Sequence, residues 1–229
     1  MNSTFDITGN GLHAYRFSQD TKPLKAIETL FAHLKPVSSP FSLEAEKVFN
    51  LSPKRDNSGI ILLDDGICSI CHEENDLHIY SFFAKSIIGF IDGYSLYYDV
   101  PARPQHKLCA ETDCTGYFVK VDDFVKVADE YDLWHDVARV LAHRLMVMSA
   151  RENELVGVDS YRKVRSLLIE LWAYPEEYRR KINVQNFIQR RTMMSRSRTL
   201  KILSELRKGD FISIDNGKLT SIQKLPEAY

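Results

Sequence analysis

The sequence predicts an α+β fold in three parts: a strand-rich barrel, a long helix, and two short helices followed by a hairpin. In residues 37–123, short runs of β-branched and aromatic residues alternate with Gly, Asp, Asn and Pro, as in a sandwich or small barrel. Residues 122–153 hold the longest helical pattern, and residues 184–222 read as helix, tight turn, helix and hairpin. We expect three domains, 1–128, 129–156 and 157–229.

The composition predicts a soluble protein. Of the 229 residues, 44% are hydrophobic and 27% charged, and the formal net charge is −1. No apolar run approaches the ~20 residues that span a bilayer. The N-terminus MNSTFDITGNG also lacks the basic and apolar regions of a signal peptide. We therefore expect a cytoplasmic protein without membrane contact.

The near-zero net charge conceals an asymmetry along the chain. Residues 155–229 carry a formal charge of +7, and the preceding residues carry −8. Within residues 178–204 there are eight basic side chains and no acidic one. A basic C-terminal part on an acidic protein indicates that this part meets a polyanion, and we interpret the partner as nucleic acid.

The N-terminal half begins with little periodicity, so residues 1–20 are predicted to be a loosely held arm. A helix follows over residues 21–35, because apolar side chains recur there at helical spacing until Pro36 ends it. These side chains are Leu24, Ile27, Leu30, Phe31 and Leu34. The strands that we then expect are FNLSP, GIILL, GICSICH, LHIYSFF, SIIGFI, YSLYYDV, HKLCAE and TGYFVKV.

Two apolar rows run along the long helix. One consists of Leu133, Val137, Val140 and Val147, and the other of Trp134, Ala138, Leu141, Leu145 and Met148. A helix that is apolar over such a width usually has two partners. We expect one row to pack on the strand-rich part and the other to meet a second copy in a two-fold homodimer. The predicted interface is Trp134, Val137, Leu141, Leu145 and Met148. The alternative is a helix wholly buried inside one subunit.

The last third of the chain predicts a winged helix-turn-helix. Ser195 precedes the second helix and is a preferred N-cap residue, and Ile202, Leu203 and Leu206 form its apolar stripe. Asn216-Gly217 lies between the runs FISI and KLTSI, and this dipeptide favours the type I′ turn of a hairpin. Together with the basic charge, this pattern predicts binding to double-stranded DNA.

Four cysteines in a cytoplasmic chain do not indicate a disulfide framework. Cys68 and Cys71 form a C-x-x-C pair, but residues three apart on a strand point to opposite faces, so core packing is favoured over a metal site. Cys109 and Cys114 flank AETD, and a hairpin there would bring them together. A thiol-based redox sensor using Cys109 and Cys114 is therefore an alternative function, with reduced thiols as the resting state.

A metalloenzyme is a further alternative. His72, Glu73, Glu74 and His78 supply the residue types of a cupin-like metal site, which needs close histidines and a carboxylate that project inward. Both glutamates belong to a polar turn that we expect to face water. We therefore predict a regulator and not an enzyme, with no metal.

Over residues 194–213 the string MSRSRTLKILSELRKGDFIS resembles the recognition helix and first wing strand of the CRP/FNR family of bacterial transcription regulators. The order of barrel, long helix and winged helix-turn-helix is also similar to that family. The resemblance implies a jelly-roll domain like those that bind cyclic nucleotides, a homodimer, and possible contact with RNA polymerase. IIGFIDG (87–93), ETDCTGY (111–117) and the final 24 residues resemble an enterobacterial branch that lowers peroxide resistance.

The resemblance also implies roles for single residues. Family members read bases through positions that correspond here to Arg196, Ser197 and Lys201. Arg196 suits a bidentate contact with guanine, and Ser197 stands where many relatives carry Glu, so the target sequence should differ from theirs. The implied phosphate contacts are Arg190, Arg191, Thr192, Ser195, Arg198 and Lys218.

The sensor segments depart from the family pattern. Members that bind cyclic nucleotides use a Gly-Glu-Leu segment and an Arg followed by Ser or Thr, whereas this chain has IGFIDG and ARPQHKL, with Arg103 followed by Pro104. Without these partners the negative charge of a buried phosphate would have no compensating group. We therefore predict no cyclic-nucleotide site. Residues 1–67 contain no cysteine, which argues against an iron–sulfur cluster of the FNR type. The seven histidines do not exclude a haem ligated by His. Our prediction is nevertheless that the protein has no cofactor.

Overall fold

The computed structural model describes residues 14–51, 58–100 and 104–227, which belong to two compact units. One unit comprises Pro23–His143, and the other joins the chain up to Lys22 to Arg144–Tyr229. No helix within the described ranges combines the length and apolar character needed to cross a membrane.

Eight strands lie among the described residues of the first unit. They are β1 Ser39–Leu43, β2 Val48–Asn50, β3 Gly59–Asp65, β4 Ile67–His72, β5 His78–Phe83, β6 Ser86–Ile88, β7 His106–Ala110 and β8 Cys114–Lys120. One antiparallel sheet has the order β1-β8-β3-β6 and the other β2-β7-β4-β5. This is the strand order of a jelly roll. The predicted α+β fold and jelly roll are confirmed, although the sheets remain open and do not close into a barrel.

Strand β3 supplies apolar side chains to both faces of its sheet. Ile60 and Leu62 join the cluster formed with the helices of this unit, and Ile61 and Leu63 alternate with them, so they face the opposite side. All four are fully buried. The edge strand β1 was not predicted, because Pro40 interrupts its run. At a sheet edge the missing amide donor of a proline is tolerated.

The helices of the first unit are α2 Leu24–Leu34, α3 Asp92–Tyr97, α4 Val121–Glu130 and the first part of α5 Trp134–Leu155. The prediction of α2 is confirmed, and its end passes into a 3-10 turn, Lys35–Val37, at the proline. The apolar face of α2 packs with Phe124 of α4 and Val137 of α5 in one core cluster.

Two predictions for this region are wrong. YSLYYDV is not a strand, because its first four residues lie in α3, where Tyr94 and Tyr97 are at helical spacing and Tyr98 is the C-cap. The Tyr94 ring lies 5.6 Å from Trp134, so packing on α5 outweighs the strand preference of tyrosine. The pattern over 122–153 is also not one helix. It breaks between α4 and α5 at Asp132, whose φ of 53° is left-handed.

The second unit contains α1 Ala14–Asp20, the end of α5, α6 Ser160–Ala173, α7 Glu176–Arg179, α8 Val184–Thr192, α9 Arg196–Lys208, β9 Ile212–Asp215 and β10 Lys218–Ile222. The prediction of a loosely held arm is wrong for residues 14–20. The amide of Ala14 donates to Glu154 at 2.8 Å, and the ring of Tyr15 lies 4.8 Å from that of Tyr174. Residues 1–13 lie outside the described part of the chain.

Candidate nucleic-acid interface

Helices α8 and α9 form the helix-turn-helix, and side-chain caps fix where each begins. The Asn183 carboxamide oxygen accepts from the Asn186 amide at 3.0 Å, and Ser195 Oγ accepts from the Arg198 amide at 3.3 Å. Met193, with φ of 55°, ends α8 in the left-handed conformation. The predicted cap at Ser195 is confirmed, and it sets the first residue of α9 at Arg196.

The buried side of α9 differs by one residue from the prediction. Leu203 and Leu206 are buried, but Ile202 is only half-buried, and Thr199 is fully buried in its place. The Thr199 hydroxyl donates to the Ser195 carbonyl at 3.1 Å, which satisfies its polar atom. A β-branched side chain of this size therefore packs in the core although it is polar.

The predicted base-reading residues lie in the exposed part of α9. Arg196, Ser197 and Lys201 are all exposed. The first turn of α9 contains no acidic residue. Leu200 lies among them and is 42% exposed. Its exposure was not predicted, although its position one turn after Arg196 and Ser197 places it on their side of the helix. This exposed surface of α9 is thus basic and polar around one apolar side chain.

Strands β9 and β10 form the wing. Asn216 and Gly217 have φ of 47° and 77°, as a type I′ turn requires, so the predicted hairpin is confirmed. The Val184 amide donates to the Gly217 carbonyl at 2.9 Å, which ties the wing to the start of α8. Between the wing turn and α9 lies a groove of about 590 Å³, whose walls include Leu200, Arg207 and Asn216.

Several of the predicted phosphate contacts have an additional structural role. Arg190 is exposed. Thr192 donates to the Ile188 carbonyl at 2.8 Å and accepts from the Met194 amide at 3.2 Å, so it holds the turn. Arg198 is exposed, and its Nε donates to Ser160 Oγ at 2.8 Å. The Lys218 ammonium donates to the Lys181 carbonyl.

Arg191 was predicted to contact phosphate, and this is wrong. The side chain is buried, with 5% of the residue exposed. Its guanidinium lies 3.6 Å from the centre of the Phe187 ring, and its Nε lies 3.9 Å from a Glu170 carboxylate oxygen. Val184, Phe187, Ile188 and Arg191 share the buried face of α8 at spacings of three and four. This periodicity is the sequence signal that identifies Arg191 as internal.

The two apolar rows of α5 differ in exposure. Val137, Val140 and Val147 are buried, whereas Leu141 is 36% and Leu145 67% exposed. A helix wholly buried in one subunit is therefore excluded. Trp134 and Met148 are half-buried, and Val137, at 5%, has little surface to offer a partner. The exposed part of the predicted interface is centred on Leu141 and Leu145.

The segment IGFIDG of the jelly roll carries a buried acid. Asp92 is 1% exposed, and its Oδ1 lies 2.9 Å from Nδ1 of His106 on β7. Within the described residues its Oδ2 has no hydrogen-bond partner. The Asp92 carboxylate is thus engaged inside the fold. Arg103 lies outside the described residues.

The cysteines are buried thiols. The predicted hairpin between Cys109 and Cys114 is wrong, because β7 and β8 belong to different sheets. Cys114 Sγ lies 3.3 Å from the carbonyl oxygens of both Ile67 and Thr112, and either of them can accept its single S–H. A hydrogen bond with the Cys68 thiol lowers the pKa of Cys114 against the opposing effect of burial. Cys68 and Cys71 are buried, as core packing predicts.

The cupin-like set is not brought together. Glu73 and Glu74 are exposed in the turn after β4, and His78 is buried with its Nε2 at 2.8 Å from Ser81 Oγ. Among the residues that the structure describes, no three His, Cys, Asp or Glu side chains are grouped in a way that could hold a metal ion.

Comparison with known proteins identifies the family. A model described as winged helix-turn-helix DNA binding matches residues 160–227. Over 208 residues, which are 91% of this chain and 98% of the relative, the sequence is 33% identical to the inhibitor of hydrogen peroxide resistance of Escherichia coli K12. The protein of the same name from Salmonella typhimurium LT2 is 30% identical over 209 residues, with the same coverage.

Solved structures establish the fold. The c-di-GMP responsive global regulator CLP of Xanthomonas campestris matches with a TM-score of 0.69 and 16% identity, over 87% of this chain and 99% of that one. A CRP/FNR-family transcriptional regulator of Eubacterium rectale matches with a TM-score of 0.67 and 13% identity, over 90% and 95%. These findings confirm the predicted fold with its winged helix-turn-helix of the DNA-binding type. The chain belongs to the family of proteins called inhibitor of hydrogen peroxide resistance, built on the fold of the CRP/FNR regulators.

Proposed function

We propose that the protein is a homodimeric, sequence-specific transcription regulator that binds double-stranded DNA through α9. The observation that carries this proposal is the exposed side of α9, where Arg196, Ser197 and Lys201 surround Leu200 beside the wing. These side chains provide donors and an apolar contact, which are the means of reading base edges in the major groove.

In this proposal each group on α9 has a distinct partner on DNA. Arg196 donates to guanine O6 and N7, and Ser197 and Lys201 contact adjacent base edges. Leu200 meets the methyl group of a thymine. Arg190, Arg198 and Lys218 contact phosphates and so fix the position of the helix without reading sequence. The two recognition helices of the dimer enter major grooves ~34 Å apart.

The proposed dimer forms through α5. Leu141 and Leu145 are large apolar side chains that water reaches in a single copy, and their spacing of four places them on one stripe of the helix. A second copy related by a two-fold axis would bury the same stripe against itself. Regulation would follow from occupation of promoter DNA, either by repression or by contact with RNA polymerase.

We further propose that this regulation requires no cyclic nucleotide. The Asp92 carboxylate is engaged by His106, and the IGFIDG segment lacks a glutamate for a ribose hydroxyl. The names of the relatives connect them with hydrogen peroxide resistance. The genes controlled by this protein would then include some that set resistance to peroxide.

A second candidate function is thiol-based redox sensing. The observation in its favour is the lowered pKa of Cys114 beside the Cys68 thiol, because the thiolate is the reactive form. Cys109, the partner suggested by sequence, lies on the other sheet. Mass spectrometry of free thiols before and after peroxide treatment tests this function. Unchanged thiols together with unchanged DNA binding would exclude it.

The main proposal is tested by selecting duplexes from a random pool with the purified protein and measuring affinity for the selected site. Arg196→Ala should lose ~1–3 kcal/mol and relax the preference at one base pair of each half-site. Arg16→Ala, at an exposed arginine paired with Asp20 on α1, is the matched control and should bind as wild type. Failure of the wild type to select any sequence would refute the proposal.

A further inference from the structure

A buried cluster of charged side chains lies in the same unit as the helix-turn-helix, with Glu170 of α6 at its centre. Arg151 of α5 donates from Nη1 to Glu170 Oε2 at 2.8 Å. The Tyr174 hydroxyl donates to Glu170 Oε1 at 3.0 Å, and Nε of Arg191 lies 3.9 Å from the same oxygen. One carboxylate therefore joins α5 and α8 to α6.

The cluster is screened from water on several sides. The side chains of Glu170 and Arg191 are each 3% exposed, and that of Arg151 is 12% exposed. Phe187 stacks on the Arg191 guanidinium and meets the Tyr174 ring edge-on at 5.7 Å. The ring of Tyr15 of α1 lies against that of Tyr174. Burial of Tyr15, together with the charge of Glu170, raises the pKa of Tyr15 to about 12.

Stability alone does not account for this arrangement. A buried ion pair is often no more stabilising than apolar side chains of the same volume, because both charges must leave water. Here two guanidinium groups share one carboxylate, and Nη2 of Arg151 has no hydrogen-bond partner in the described part of the chain. Directional bonds at a carboxylate do, however, fix angles and distances that apolar contacts leave adjustable.

The position of helix α8 determines the position of the start of α9. Only Met193, Met194 and Ser195 separate the two helices. The turn is held from α8 by Thr192, which accepts from the Met194 amide, and by Gln189, whose amide lies 3.5 Å from the Met194 carbonyl. A shift of α8 on α6 therefore displaces the N-terminal end of α9, where the proposed reading residues begin.

We propose that Glu170 is a positioning residue for DNA recognition, which holds α8, and through it α9, at a fixed orientation to the end of α5. This inference rests on the proposed function. Because the end of α5 also carries Leu145 of the proposed dimer contacts, the cluster sets the orientation of α9 to that part of α5 in the same subunit. Arg151, Arg191 and Tyr174 act through Glu170 and do not touch DNA.

The test uses variants at the edge of the cluster, because Glu170→Gln leaves two buried arginines uncompensated and can prevent folding. Arg151→Met and Tyr174→Phe each remove one donor to Glu170. Arg165→Met and Tyr161→Phe are matched controls, since they make the same changes at side chains of α6 that donate to the Pro226 carbonyl, at 2.9 and 2.8 Å, and not to Glu170. Thermal unfolding of every variant defines a temperature at which all are folded.

The measured quantity is the ratio of affinities for the duplex that the wild type selects and for a scrambled duplex of the same composition. Arg151→Met should lower this ratio at least about five-fold, the size of effect seen along coupled networks. The affinity of Arg151→Met for the scrambled duplex should stay within about two-fold of the wild-type affinity, because non-specific binding depends on surface charge. Arg151→Lys should recover part of the ratio, and the controls should leave it unchanged.

The inference is overturned if folded Arg151→Met and Tyr174→Phe both keep the wild-type ratio, or if the controls lower it equally. If either result is found and the wild type does select a sequence, the proposed function stands and only the role of Glu170 fails. A wild type that selects no sequence refutes the proposed function, and the role of Glu170 with it.

Discussion

In the proposed dimer the exposed apolar stripe of α5 determines how tightly two copies associate, and Leu145→Ala tests this proposal. The substitution removes three carbon groups, each worth ~0.8 kcal/mol when buried. Leu145 is 67% exposed in one copy, so covering that fraction contributes about 1.6 kcal/mol per subunit and about 3 kcal/mol per two-fold dimer. The dissociation constant of the dimer should therefore rise on the order of 100-fold.

Sedimentation equilibrium over a dilution series measures this constant directly. Val48→Ala is the control, because Val48 is an apolar side chain that is 53% exposed on the edge strand β2 and does not belong to α5. It should leave the constant unchanged. If Leu145→Ala dimerises as tightly as the wild type, or if the wild type is a monomer throughout, the assignment of the dimer interface to this stripe is wrong.

Four further outcomes are expected. Ser195→Ala should destabilise the protein by ~1 kcal/mol in thermal unfolding through loss of the cap of α9, and Ser195→Thr should retain most of it. Replacing thymine by deoxyuridine in the selected duplex should weaken wild-type binding about four-fold at the contacted base, but not binding by Leu200→Ala. Burial and the charge of Arg144 lower the pKa of Lys22 from 10.5 to about 8. The folded state then binds fewer protons between these values, so stability should rise with pH there, and Lys22→Met should abolish the rise. Arg190→Gln should reduce the salt dependence of DNA binding by a slope of ~2 per dimer, whereas Arg191→Gln should lower the unfolding temperature.

The winged helix-turn-helix was predictable because its signals are local. A serine before an apolar periodicity fixes a helix start, and Asn-Gly between alternating runs fixes a hairpin. Both are read within a few residues and need no knowledge of the rest of the fold. The observed cap at Ser195 and the turn at Asn216-Gly217 agree with these signals.

The errors arose where distant contacts decide the outcome. Three tyrosines gave the α3 segment the composition of a strand, but Tyr94 packs against Phe124 and Trp134, which follow it by thirty and forty residues. The short segment between β7 and β8 resembled a hairpin turn, yet it carries the chain from one sheet to the other. No signal confined to residues 106–120 distinguishes the two.

The count of basic residues overstated the charge available to DNA for a related reason. Of the cations in residues 178–204, Arg191 is buried at Glu170 and Arg179 stacks 3.9 Å from the Trp172 ring and donates to its carbonyl. Arg180 is paired with Glu176. A guanidinium has a planar face as well as donors, so it can serve inside a protein as packing and as an ion-pair partner at once. Helical periodicity separates the two uses: Arg191 falls on the apolar stripe of α8, whereas Arg190, one residue earlier, does not. The basic residues of a helix should therefore be sorted into those on the apolar stripe and those off it. Only the charges off the stripe should be assigned to phosphate contacts.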